Sequence, residues 1–360
     1  MKTKAIPFFI GSTNSYSGKT LLSTVLGRML QEQGYKIGYM RIIGKSVASK
    51  GDILYDVDAE FVKRTLGLND PVEKMSPVIL THDLIASVLK GKEYDGFKLF
   101  KEAYEELSSD KDVMLISGAA NLYEGLTVNI SSLIVIKALD TKAVLIDPYR
   151  DEVCVDCILS SKELLGKRLA GVILNMVTFD EMEFVADNII PYIEKQGVKV
   201  FGMIPRTSEL ESVSVRQIRD AVGGEMLSGH DKLDELVENL VVGAMDVENA
   251  LKHFVKKKNK AVITGANRAD IIIAALETST KCLVLTGDFL PNEIVLGRAK
   301  AMGVPVIHVK YDTLTTISKI ESIIGKVRIV REEQVRKGYE TVKHYINVEA
   351  LFESMGITKP

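Results

Sequence analysis

The densest run of residues able to do chemistry lies near the start of the chain, Gly11-Ser12-Thr13-Asn14-Ser15-Tyr16-Ser17-Gly18-Lys19-Thr20, between an apolar run at 6–10 and an amphipathic stretch at 20–33. Glycine and hydroxyl residues at a strand-to-helix junction let backbone N–H groups face an anion, and the helix N-terminus adds a favourable field. Lys19 is placed to reach the outer phosphates of a nucleotide, and Thr20 to offer its hydroxyl to Mg²⁺. The loop is longer than the common form: Thr13 stands where that form has its first glycine, and the chain's glycine comes earlier, at Gly11. The spacing predicts nucleotide phosphate binding at residues 11–20. The competing reading is a Gly-Lys-Thr that merely starts a helix.

Other polar residues carry weaker signals. Asn175 closes an apolar run and reads either as a base-contacting side chain or as a strand-end cap. Asp147, before Pro148-Tyr149-Arg150, reads as the start of a turn. Cys154 and Cys157 form a lone CxxC without the second pair that zinc requires, and read as small apolar filler at a helix start. The five histidines show no paired spacing, so no metal cluster is expected. Lys256-Lys257-Lys258-Asn259-Lys260 reads as a solvated basic turn after a helix. Further along, Gly265, Gly287 and Gly303 border strands, and Arg268 with Asp270 begins a helix; these read as tight turns and a surface ion pair rather than a second anion pocket.

The elements that must position these residues alternate. Apolar runs at 6–10, 36–40, 113–116, 143–146, 169–174 and 198–204 are separated by helical patterns at 20–33, 59–66, 97–107, 153–165 and 181–195. Continuous Val/Ile/Leu strands between helices predict a doubly wound parallel α/β sheet with ligands at the carboxyl ends of its strands. After Pro205 the texture changes. Residues 208–214 are polar and acidic, and a short helix follows, ended by Gly223-Gly224. A second α/β set then has strands at 240–242, 261–264, 282–286 and 304–309 and helices at 247–254, 269–277, 293–301 and 315–324. The predicted division is 1–206, 207–325 and a charged helical tail, 326–360, that packs on a domain or on a partner.

Composition limits the function classes. The chain has 360 residues, 46% hydrophobic and 26% charged, enough for two domains and against wholesale disorder. Forty-six basic against 48 acidic residues leave a net charge of −2, which argues against a dedicated nucleic-acid or membrane-surface protein. No apolar run approaches a membrane span, and the N-terminal run is too short for a signal peptide. Three cysteines give no disulfide framework, which fits a reducing cytoplasm.

The long loop, with Gly18-Lys19-Thr20, resembles the dethiobiotin synthetase-like P-loop domain that also forms the N-terminal part of long bacterial phosphate acetyltransferases. Matching stretches follow in order: Gly38 to Gly44, Asp56-Val57-Asp58-Ala59, residues 113–125, Leu174-Asn175 with Val177, and Gly202-Met203-Ile204-Pro205-Arg206. Residues 207–325 resemble the DRTGG domain of the same acetyltransferases, on Val241 to Met245, Ile263-Thr264-Gly265, Asn267 to Ile271 and Leu285 to Asp288, without the eponymous motif. The resemblance implies a P-loop NTPase-like α/β domain followed by a smaller α/β domain. It implies ATP at residues 11–20, with Asn175 and Pro205 near the base, and Mg²⁺ at Thr20 and Asp58. The acyl-transferring domain of the long enzymes has no counterpart before Pro360, so no acetyltransferase activity is expected.

Departures accompany the matches. Arg41 stands where the family has a lysine that holds the substrate acid, and a planar guanidinium reaches differently. Ser117 stands where the family has a metal-binding Glu, with Glu124 a nearby unmatched carboxylate. The preferred expectation is therefore an ATP-binding regulatory or sensory protein, cytoplasmic and homo-oligomeric. Two others stay open: an ATP-dependent ligase acting on a small carboxylate, with Arg41 holding the acid, and an assembly module with an empty loop.

Overall fold

The computed structural model describes residues 5–51, 53–207, 210, 212–321, 323 and 332–358. The chain divides into two compact units, one built from Met1–Arg206 with Arg328–Pro360, the other from Thr207–Val327.

In the first unit, β1 (Ile6–Ser12), β2 (Ile37–Arg41), a hairpin of β3 (Val47–Lys50) and β4 (Ile53–Asp56), β5 (Val113–Ser117), β6 (Ala143–Pro148), β7 (Leu169–Val177) and β8 (Val200–Pro205) appear in chain order. Six of them form one sheet in the order β2-β5-β1-β6-β7-β8, every pair parallel. Phe8, Phe9, Ile10, Val113 to Ile116 and Val144 to Ile146 are all buried, as strands covered on both faces must be. The order reverses around β1, so the loop after β1 opens at the crevice where such sheets take ligands. That loop leads into helix α1 (Lys19–Glu32), which turns Leu22, Val25, Leu26, Met29 and Leu30 into the core at helical spacing. The doubly wound α/β fold read from the sequence is the fold observed.

The tail is helical at Glu332–Tyr345 and Val348–Ser354, and it returns to this unit. Gly338 lies so close to α1 that a Cβ there would sit 2.6 Å from Leu21 Cδ1. Phe352 meets Phe8 edge-on at 6.1 Å, and the Asn347 amide donates to Phe201 O at 2.8 Å. Tail residues 326–331 lie outside the described residues.

The second unit opens with β9 (Val213–Ser214) and the helix Val215–Val222, closed by Gly223 at φ 59. The capping box of Ser214 and Gln217 satisfies its first turn. Then come β10 (Glu225–Ser228), β11 (Leu236–Val237), β12 (Asn239–Val242), β13 (Lys260–Gly265), β14 (Thr280–Thr286) and β15 (Val306–Val309). The sheet runs β10-β15-β14-β13-β12, with only β10 antiparallel. Its helices are Val247–Lys256, Ala269–Leu276, Glu293–Ala301 and Thr313–Glu321. Residues 322 and 324 of the expected last helix, and 208, 209 and 211 of the acidic stretch, lie outside the described residues.

The structure corrects three expectations. The stretch 181–195 is not one α-helix: Met182–Phe184 gives way to a π turn, Val185–Ile189, before Ile190–Lys195. Pro191 cannot donate the next helical hydrogen bond, and the helix widens just before it. Asp147 does not start a turn but lies inside β6, 1% exposed. Lys260 is not part of a solvated turn. It is fully buried at the start of β13, its Nζ donating to Ser279 O at 3.0 Å and lying 5.9 Å from the Phe254 ring centre, and desolvation pulls its pKa down to about 8.

Candidate nucleotide site

The loop between β1 and α1 is braced on each side. Gly11 is packed so tightly that a Cβ would meet Leu145 Cδ2 at 2.6 Å. Ser12 Oγ donates to Ala120 O at 2.7 Å, tying the loop to the chain after β5. The Thr13 amide donates to Ile146 O at 3.3 Å, and its hydroxyl donates to Asp147 Oδ2 at 2.6 Å. Desolvation raises the Asp147 carboxyl to about 6 against the opposing pull of Thr13 and Arg150. At the tip Asn14 is exposed, Ser15 half-buried and Tyr16 exposed in the left-handed region, φ 57. Gly18 ends the loop at φ 87, where a side chain would be strained. Asn175 Nδ2 donates to Ser17 O at 2.9 Å and lies 2.5 Å from where a Gly18 Cβ would be. Asn175 therefore contacts the loop backbone. Pro205 ends β8 opposite Val177, and the Arg206 amide beyond it donates to Val177 O at 2.7 Å.

Gly18 offers no side-chain cap, so the first amides of α1 are left for an outside acceptor. Lys19 Nζ is drawn back into the loop, donating to Ser12 Oγ at 2.5 Å and Ser17 Oγ at 3.3 Å. Desolvation, and next the charge of Arg41, lower its pKa to about 7.

A second cluster forms at the ends of β2 and β5. Asp56, wholly buried, caps the helix Val57–Leu66 by accepting from the Ala59 amide, and also accepts from the Lys45 and Ser46 amides and from Arg41 Nη1, all at 3.0 Å. Arg41 Nη1 also donates to Asp58 Oδ2. Glu124 accepts from Lys45 Nζ at 2.6 Å and from the Ala120 amide at 2.7 Å. Ser117, opposite Arg41 in the β2–β5 register, has a buried hydroxyl without a partner, as does Arg41 Nε.

Thus residues 11–20, Asn175 and Asp147 share one site, while Arg41 and Asp58 are tied to each other beside it. Of the two residues expected to hold Mg²⁺, Thr20 lies in the first turn of α1 with a hydroxyl of the kind that ligates it, whereas Asp58 is ion-paired with Arg41. Among the described residues no group of three or more His, Cys, Asp or Glu is placed to hold a metal ion. Cys154 is buried and desolvation pushes its thiol up to about 12; Cys157 is also pushed up, so neither is a ready nucleophile. In the second unit, Arg268 and Asp270 form a surface ion pair at 3.1 Å. The partnership of Asp147 with Thr13 is the feature missed from the sequence. Its one local signal was a carboxylate ending an unbroken apolar run.

A protein-family model described as an AAA domain matches residues 7–214, and one described as a DRTGG domain matches residues 217–323. The chain is 24% identical over 377 residues to the phosphate acetyltransferase of Pseudomonas aeruginosa, covering 97% of this chain and 52% of that protein. It is 29% identical over 202 residues to the ATP-dependent dethiobiotin synthetase of Methanococcus vannielii, covering 54% of this chain and 92% of that protein. The chain spans about half the length of the curated phosphate acetyltransferases it matches first. Among solved structures, the septum site-determining protein MinD of Pyrococcus horikoshii, complexed with Mg-ADP, aligns at 18% identity and a TM-score of 0.33, covering 57% of this chain and 83% of that one. Among the described residues no helix is long and apolar enough to cross a membrane.

Proposed function

Because the chain belongs to the AAA-domain family over residues 7–214 and carries a DRTGG domain over 217–323, we propose that it binds a nucleotide at residues 11–20 and acts as a regulatory or sensory protein rather than as a catalyst of group transfer. One observation carries this reading. Lys19 is a partly buried ammonium whose partners are the hydroxyls of Ser12 and Ser17, under uncapped helix amides. Such an arrangement supplies donors for phosphate oxygens. Arg41, the residue that would hold a substrate acid, is engaged by Asp56 and Asp58. Nucleotide occupancy then acts by biasing the DRTGG unit or a partner, limited by the difference in nucleotide affinity between the two states.

Isothermal calorimetry with ADP and ATP tests it. Binding to the wild type and its loss in Lys19→Ala are expected; no heat and no thermal shift in the wild type with either nucleotide would remove the reading.

A second reading, an ATP-dependent ligase acting on a small carboxylate, draws on the match along 92% of a dethiobiotin synthetase. It requires Arg41 to leave its two carboxylates. Phosphate release that depends on an added carboxylate, in a metabolite screen, would favour it.

A further inference from the structure

A short chain of hydrogen bonds runs from the end of β7 into the phosphate loop. Asn175 is fixed in the sheet opposite Pro148, and its carbonyl accepts from the Tyr149 amide at 2.9 Å. Its side chain is used at both ends: Oδ1 accepts from the Met176 amide at 2.9 Å, and Nδ2 donates to Ser17 O at 2.9 Å. These partners settle which end is oxygen, since the reverse assignment sets donor against donor and acceptor against acceptor. Met176 keeps its place in the chain at φ 63, a backbone region costly for a residue with a side chain. The direction of the Ser17 carbonyl then decides that of the next group. A trans peptide unit points its N–H opposite to its C=O, and no peptide bond among the described residues is cis. With Ser17 O turned onto Asn175, the Gly18 N–H is turned away from it, and that N–H has no acceptor among the described residues. It stands next to the uncapped first amides of α1.

We propose that Asn175 is a positioning residue: by holding the Ser17 carbonyl it aims the Gly18 N–H at a phosphate oxygen, acting through the loop rather than through the base. This rests on the nucleotide-binding reading above and deepens it, because the affinity Asn175 contributes then belongs to the phosphates, whatever base they carry. Were the carbonyl free, the peptide unit could turn and present its oxygen to the anion in place of its N–H. The clamp also explains why the residue after Ser17 is a glycine: a Cβ there would lie 2.5 Å from Asn175 Nδ2.

Calorimetry with ADP and with inorganic pyrophosphate, on the wild type, Asn175→Ala and the volume-keeping Asn175→Leu, tests it, with melting curves of the free proteins as the check on folding. Both variants should bind both probes about three- to tenfold more weakly, as expected for one lost hydrogen bond. The factors for ADP and for pyrophosphate should agree within about twofold. A loss for ADP that spares pyrophosphate makes Asn175 a base contact and overturns the proposal, as does unchanged binding of both probes. Should the wild type bind neither probe, the nucleotide reading itself falls. Amide NMR separates aim from a general loosening of the fold. On saturation with pyrophosphate the Gly18 amide proton should move downfield in the wild type and much less in Asn175→Leu. A Gly18 signal that responds alike in the two proteins, or in neither, overturns the proposal.

Discussion

Asp147 holds a carboxylate where water cannot reach it, with the Thr13 hydroxyl at 2.6 Å as its close partner. Its pKa, raised to about 6 by desolvation, exceeds the unfolded value by about two units, or about 3 kcal/mol. The folded protein thus binds the extra proton more tightly than the unfolded chain does. This stabilisation is fully present below about pH 4 and is lost as pH rises through 6. Asp147→Asn keeps an acceptor for Thr13 and removes the titration. The variant should be the more stable protein at pH 7, by up to about 3 kcal/mol, with the gap closing below pH 4 in denaturant melts. A gap that does not change with pH would refute the assignment. This pairing was illegible in the sequence because its two residues lie 134 positions apart. Gly18, Lys19 and Thr20 were legible because their chemistry depends on immediate neighbours in the chain. Arg41 stands out in the sequence by its type, but its pairing with Asp56 depends on a fold that brings together the ends of β2 and β4.

Among the elements, the apolar runs named the strands of the first sheet because the central ones, β5, β1 and β6, are buried on both faces, which leaves little choice of residue. The β3–β4 hairpin went unread. Its residues are mostly exposed, and Val-Ala-Ser-Lys and Ile-Leu-Tyr-Asp carry no alternation. Yet it ends at Asp56, the one side chain that caps a helix, closes the turn at Lys45 and Ser46, and steadies Arg41. Asp56→Ala should therefore cost more than a lost cap: about 3–5 kcal/mol, as expected for breaking a buried charge pair, measured by thermal or denaturant unfolding. A loss below about 1 kcal/mol would mean that the pair breaks even. On the other face, Gly338→Leu would wedge the helix Glu332–Tyr345 away from Leu21, where even a Cβ would sit at 2.6 Å. A stability loss of about 1–3 kcal/mol is expected, with weaker nucleotide binding if α1 shifts with it.

At the scale of the whole molecule, the connectivity is that of a guest within a host: the chain leaves the first unit at Arg206, builds Thr207–Val327, and rejoins the first unit from Arg328. The helical tail was legible from its periodicity. The surface it covers was not, because Val335, Gly338 and Val342 face a partner that their own spacing does not specify. A single protease cut near residue 207 should give two fragments that separate in SDS but migrate together on a native gel, since Tyr339, Asn347 and Phe352 still bind the host. Fragments that part under native conditions would contradict this packing.

The same insertion sets a timetable for biogenesis. Domains usually fold in order as they leave the ribosome. Here the cradle around Lys19 is made first, but the helix that buttresses α1 is translated only after the whole guest. Nascent chains stalled before residue 328 should therefore present an unfinished, protease-sensitive host beside a guest already able to fold, and capture of nucleotide should await the helix Glu332–Tyr345.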